Sequence, residues 1–232
     1  MRIACVGYRE WAINIYDRLA RSVDHTCLIC RTKEQYSEEA LRDFRPDLVL
    51  FYGWSWFVPE ALLQNFKCLM LHPSPLPLYR GGSPIQNQII AGETESKVSI
   101  FVMNGDMDAG DIVAQEGLNL AGSLADIFSR IEDAGVRLTL DILRNGLKPV
   151  PQDHSKATNC KRRKPQDSEI TLDELKGCDA EYLYNKIRML AEPYPNAYIR
   201  TVDGKRLLIK VAAIQGEHIL ADVITNKKSN EK

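Results

Sequence analysis

An excess of charge of either sign is missing from this 232-residue chain: 30 Lys and Arg face 31 Asp and Glu, and the formal net charge is −1. A broad nucleic-acid-binding face shows as a surplus of Lys and Arg, so no nucleic-acid partner is expected. Long apolar runs are missing too. Stretches such as DLVLFYGW and CLMLH fall far short of the roughly 20 residues that cross a bilayer. The opening MRIACVG enters a strand-like segment with no charged leader, so neither a membrane nor export is expected. Cysteine is thinly spread. The closest pair of the six, Cys27 and Cys30, lies on a strand-like run where residues three apart face opposite sides. A metal pair is therefore disfavoured, and free buried thiols in a reducing cytoplasm are expected. There is no internal repeat or heptad array, and no GxGxxG or GxxxxGK[ST] loop, which removes a dinucleotide fingerprint and a Walker phosphate cradle.

What is present is enough apolar residue, 44%, for one sizeable core with a small appended unit. Period-2 and period-3.6 patterns alternate along the first part of the chain. Strand-like runs fall at Arg2 to Val6, His25 to Cys30, Asp47 to Tyr52 and Cys68 to His72, and helical patterns at Trp11 to Ala20, Glu38 to Phe44 and Pro59 to Phe66. Apolar strands separated by helices predict a parallel sheet covered on both faces, which binds ligands beyond the carboxyl ends of its strands. A helix at Pro84 to Ala91, strands at Lys97 to Met103 and Ile112 to Leu118, and a long helix at Leu124 to Leu143 with Ser123 as N-cap complete a first domain, 1–150. The polar connector PVPQDHSKATNCKRRKP then opens a smaller unit, 151–232. It is expected to hold a helix at Asp179 to Leu190, two strands flanking VDGK, and a fraying tail, TNKKSNEK.

Two loops carry the chemistry. In CLMLHPSPLPLYRGGSP, an apolar strand delivers His72 into three prolines and a double glycine, where no further ladder bonds can form. The loop NGDMDAGD places Asp106, Asp108 and Asp111 between two strands. Outside such a context a lone histidine is an ordinary hydrogen-bonded residue, and acids in a turn are ordinary solvated ones.

LHPSPLPLYRGGSPIQNQIIAGETESKVSIF followed by MDAGDIVAQE resembles, from about Asp47 to Leu143, the catalytic core of formyltransferases that use 10-formyltetrahydrofolate. CKRRKPQDSEI and IRMLAEPYPNAYI further resemble sugar N-formyltransferases, and HPSPLPLYRGGSPIQ is close to those of pseudaminic-type pathways and to peptide-synthetase formylation domains. The resemblance implies a Rossmann-like formyltransferase domain with a mostly parallel sheet, plus a small C-terminal α/β subdomain. It implies a formyl transfer with His72 and Asp108 as catalytic residues and no metal. Ser55, Trp56, Phe57, Val58, Met103, Gly105 and Asp106 would hold the folate; Trp54 to Phe57 are equally compatible with core packing. Ser74, Tyr79, Arg80, Gly81, Gly82 and Asn104 would hold the acceptor, with Arg162 or Arg163 near phosphate, although a solvated connector is the default for the KRRK run.

The expected acceptor is a nucleotide-linked amino sugar, UDP- or dTDP-linked with UDP preferred, and the expected protein is a cytoplasmic enzyme able to form a homodimer. The alternatives are a methionyl-tRNA formyltransferase, disfavoured because the C-terminal piece is short and weakly basic, a peptide-synthetase formylation domain, and a non-catalytic folate or nucleotide sensor. One departure from the family pattern bears on catalysis. An asparagine normally stands two residues before the histidine, on the same strand face about 7 Å away; here the residue is Met70. A thioether cannot donate to an oxyanion, so Asn104, Gln86 or a held water is expected to replace it.

Overall fold

The computed structural model describes residues 1–22, 24–216 and 218–224; the tail 225–232, expected to fray, lies outside the described residues. The chain runs β1 (Arg2–Val6), α1 (Glu10–Ser22), β2 (Thr26–Cys30), α2 (Glu38–Phe44), β3 (Leu48–Tyr52), α3 (Glu60–Asn65) and β4 (Cys68–His72). It continues through β5 (Arg80–Gly81), α4 (Pro84–Ile90), β6 (Glu95–Val102), β7 (Ile112–Asn119) and α5 (Leu124–Asn145). The remaining elements are β8 (Asn159–Cys160), α6 (Leu172–Gly177), α7 (Ala180–Arg188), β9 (Ala197–Arg200), β10 (Arg206–Gln215) and β11 (His218–Ile224).

Six strands form the main sheet in the order β2-β1-β3-β4-β6-β7. The first four are parallel, and β6 and β7 add antiparallel. The expected fold, a mostly parallel Rossmann-like sheet with a small C-terminal unit, is what the chain adopts. Side chains alternate across the sheet. Cys5, Leu50, Tyr52, Leu69 and Leu71 meet α1 and α5 through Ile15, Leu19, Ile127 and Ile131. Ala4, Val49, Phe51 and Cys68 face the other way, onto Leu41 of α2 and Leu62 of α3. Every side chain of β3 is buried, which is why LVLFY reads as an unbroken apolar run rather than an alternating one. Ser123 and Asp126 close a reciprocal cap on α5, satisfying two donors at its first turn.

Three features depart from the sequence reading. The C-terminal sheet has three strands, β11-β10-β9, because β10 runs on to Gln215 and turns back as β11. Helix α6 is short and carries no buried residue, so it has no apolar stripe to betray it. The connector after α5 is not a loose linker: Val150 bridges Ile112, and β8 pairs in parallel with β5 at the glycine turn. Helix α7, expected over Asp179 to Leu190, buries the polar Asn185 and Lys186 beside Ile187. Lys186 is satisfied by Glu174 at 2.5 Å and by the Glu169 carbonyl at 2.6 Å.

Candidate active site

Strand β4 ends at His72, which is 6% exposed. The prolines beyond it release the chain from the sheet, and serines tie it down again. Ser74 Oγ donates to the Leu78 carbonyl at 2.9 Å, and Ser99 Oγ of β6 donates to the Ser74 carbonyl at 2.6 Å. The loop thereby returns Tyr79 to the ring of His72, whose Nε2 lies 2.9 Å from the Tyr79 carbonyl oxygen. A carbonyl only accepts, so Nε2 carries a hydrogen and, in the neutral ring, Nδ1 is the bare nitrogen.

That bare nitrogen faces Asp108, with Nδ1 3.6 Å from Oδ2. The separation exceeds a direct hydrogen bond. Asp108 sits at φ +50°, in the left-handed region, and its Oδ2 accepts the Gly81 N–H at 2.8 Å. Two glycines make this approach possible. Gly81, at φ +103°, passes so close to β8 that a Cβ would lie 2.5 Å from the Cys160 carbonyl oxygen, and one on Gly110 would lie 1.7 Å from that of Val102. Cys160 lies against the same turn, and burial, followed by the nearby Asp108 charge, pushes its thiol pKa up.

His72 and Asp108 open onto a cavity of about 780 Å³. The loop after β3 contributes Ser55, Trp56, Phe57 and Val58; the loop after β6 contributes Met103, Asn104, Gly105 and Asp106; and the end of β5 with the turn after it contributes Gly81 and Gly82. The sequence-expected folate segments therefore share one wall system. The aromatic run divides by role: Trp54 is 8% exposed and packs on Phe51 and Tyr36, whereas Trp56 and Phe57 are 38% and 80% exposed at the mouth. Tyr8, unremarked in the sequence, braces this wall through its ring, 4.8 Å from Trp56, and its hydroxyl, 2.8 Å from Ser55 Oγ.

Three expected acceptor residues lie outside the cavity. Ser74 is fully buried and pinned within its loop. Tyr79 turns its hydroxyl to Glu93 at 2.8 Å, and burial with that carboxylate pushes its pKa up to about 12. Arg80 is 7% exposed, with its guanidinium spent on Gln152 rather than on a phosphate. The cations that do line the cavity are Arg9, Arg162, Arg163 and Lys164. Arg9 and Gln152 carried no local sequence signal.

Among the described residues, four buried side-chain atoms lack a hydrogen-bond partner, and three of them belong to cavity residues: Trp54 Nε1, Gln86 Nε2 and Arg163 Nε. All three are donors. An unmade bond of this kind costs about 1–3 kcal/mol, so their clustering fits a ligand rich in acceptors. Met70 also lines the cavity while packing into the core beneath α3, so β4 offers His72 but no second donor. No group of three His, Cys, Asp or Glu side chains placed to hold a metal ion occurs among the described residues.

Residues 23–141 match the family model described as formyl transferase. The chain belongs to the formyl transferase family. A second model, described as the C-terminal domain of methionyl-tRNA formyltransferase, matches residues 165–226 of this formyl transferase. Among curated relatives, the methionyl-tRNA formyltransferase of Carboxydothermus hydrogenoformans is 32% identical over 94% of this chain and 74% of its own. That of Sulfurimonas denitrificans is 31% identical over 73% of this chain, and this chain spans only 55% of it. Among solved structures, methionyl-tRNA formyltransferase from Clostridium thermocellum superposes with a TM-score of 0.88 at 32% identity, covering 97% of this chain and 98% of that one.

The formyltransferase resemblance and the enzyme class drawn from the motifs are borne out. The expected acceptor is not. A nucleotide-linked amino sugar, with no nucleic-acid partner, is overturned by relatives that are methionyl-tRNA formyltransferases and by the C-terminal match. A sugar N-formyltransferase does occur among the structural neighbours, that of Shewanella sp. with a TM-score of 0.72, but at 17% identity the likeness is one of fold. The argument from a short C-terminal piece fails because the Clostridium protein is matched over nearly its whole length.

Proposed function

We propose that this formyltransferase moves the formyl group of 10-formyltetrahydrofolate onto the amine of methionyl-tRNA. One observation carries the choice of acceptor: residues 165–226 match the methionyl-tRNA formyltransferase C-terminal domain, and Pro165, Ser168, Leu190, Tyr194 and Pro195 from that segment reach the same cavity as His72. Arg9, Arg162, Arg163 and Lys164 at its wall suit a phosphodiester chain, a local cluster that the neutral overall charge conceals. The division into a chemical domain, 1–150, and a unit of 151–232 that helps enclose the acceptor belongs to the same proposal.

The folate supplies an activated formyl group; the protein supplies acceptors, donors and a dry wall. His72 Nδ1 and Asp108 Oδ2 are two acceptors 3.6 Å apart, a setting for the N–H bonds of a primary amine. As the amine nitrogen bonds to the formyl carbon, His72 takes its proton at Nδ1, and the Asp108 carboxylate stabilises the imidazolium. His72 returns the proton to the departing nitrogen as that C–N bond breaks. Gln86 Nε2, buried and without a protein partner, is the donor we assign to the developing oxyanion in place of the side chain that Met70 lacks. No described helix is long and apolar enough to cross a membrane, and the six free thiols suit a reducing cytoplasm.

The deciding experiment incubates the protein with 10-formyltetrahydrofolate and methionyl-tRNA. Tetrahydrofolate release and formylmethionyl-tRNA are expected together; turnover with small amines but none with methionyl-tRNA overturns the acceptor.

A further inference from the structure

The structure assigns Gln152 and Arg80 to a brace that positions Asp108 against His72. Gln152 lies in the connector between α5 and β8, yet is 5% exposed. Its Nε2 donates to the Asp108 carbonyl at 2.9 Å and to the Gly110 carbonyl at 2.7 Å. Its Oε1 accepts from Arg80 Nε at 3.1 Å and Nη2 at 2.6 Å. Arg80 Nη2 also reaches His154 Nδ1 at 3.3 Å, where the ring nitrogen serves as the acceptor. The oxygen of one neutral amide thus takes two of the five N–H donors of Arg80.

These bonds close a ring. Arg80 holds Gln152, Gln152 holds the main chain on both sides of Ala109, and Asp108 Oδ2 accepts the N–H of Gly81, the residue after Arg80. The ring encloses one of the strained points of the site, beside Tyr79 and Ser83, since a non-glycine residue in the left-handed region costs roughly 1–2 kcal/mol. Asp108 stays at φ +50° only while something restrains its loop. Both ends of the amide are needed. A carboxylate at 152 would keep the Arg80 contact but set an oxygen against two carbonyl oxygens, and a thioether would lose every bond. Gln152 touches neither His72 nor the cavity, which makes it a positioning residue.

This inference rests on the proposed formyl transfer, and its test separates the two. Gln152→Glu preserves shape and gains an ion pair to Arg80, so folding is retained; Gln152→Met and Arg80→Lys weaken the ring from its two sides. For Gln152→Glu, kcat is expected to fall ~10- to 100-fold while KM for 10-formyltetrahydrofolate and for methionyl-tRNA changes less than about threefold, the signature of a reacting group displaced by a fraction of an ångström. A second readout needs no acceptor: the 15N resonance of His72 Nδ1, which reports the facing carboxylate, is expected to move in Gln152→Glu and Gln152→Met. An unchanged kcat with an unchanged His72 resonance in folded Gln152→Glu overturns the brace. A wild-type protein that fails to formylate methionyl-tRNA overturns the function instead, and leaves the resonance measurement to judge the brace alone.

Discussion

The two sheets of this molecule bury their strands to very different degrees. In the main sheet, Val49, Leu50, Phe51, Tyr52 and Leu69 are fully enclosed by helices on both faces. In the C-terminal sheet, Val211, Ile214, Leu220 and Val223 remain 57%, 45%, 51% and 47% exposed. The difference explains where the chemistry sits. His72 closes a strand with no freedom to shift, and the Asp108 loop closes a second strand of the same sheet, so their separation is set by packed backbone. The C-terminal sheet instead has one face on α7 and leaves apolar side chains of β10 and β11 exposed.

Three perturbations sharpen that contrast. The largest is Gln86→Leu, at the cavity on the main-sheet side. Removing a preorganised oxyanion donor lowers kcat by ~10² to 10³ at a nearly unchanged melting temperature; full activity in this variant transfers the role to Asn104 or a held water. Next, truncation tests the cores directly. Leu50→Ala is expected to cost about 3 kcal/mol in urea unfolding, against at most about 0.5 kcal/mol for Leu220→Ser on the exposed face. Equal losses erase the distinction between the sheets.

The smallest effect lies in the C-terminal unit and depends on pH. Burial pushes the Glu174 carboxyl up, but the Lys186 ammonium, the Thr171 N–H and the Tyr182 hydroxyl outweigh it and hold the pKa at about 2. Because the folded value lies below the ordinary one of 4.5, this contribution is complete above pH 4.5 and is lost as pH falls towards 2. Thermal melts from pH 6 to pH 2 are expected to show a shallower acid limb for Glu174→Gln; an identical limb removes this carboxylate as its source.

The main sheet was legible because β1, β3 and β4 are continuous apolar runs separated by helical patterns, and the His72 and Asp108 loops announced themselves by proline, glycine and acid density. The C-terminal unit was only half legible. Helix α6 buries nothing, and α7 buries Lys186, whose partner Glu174 stands 12 residues away. Arg80 shows the limit most plainly. A guanidinium beside two glycines looks like a phosphate clamp until Gln152, 72 residues on, is seen to occupy it. Sequence distance hides such pairs, because no local pattern records which polar connector folds back onto which turn.

The pairing of β5 with β8 has a consequence during synthesis. Thr158, which accepts the Tyr79 N–H, is made 79 residues later, and Gln152 arrives little sooner. On the ribosome the catalytic turn therefore waits without the strand it pairs with. A nascent chain halted before the connector emerges carries His72, Gly81 and Asp108 but lacks Gln152 and Thr158, which fasten the turn from the far side.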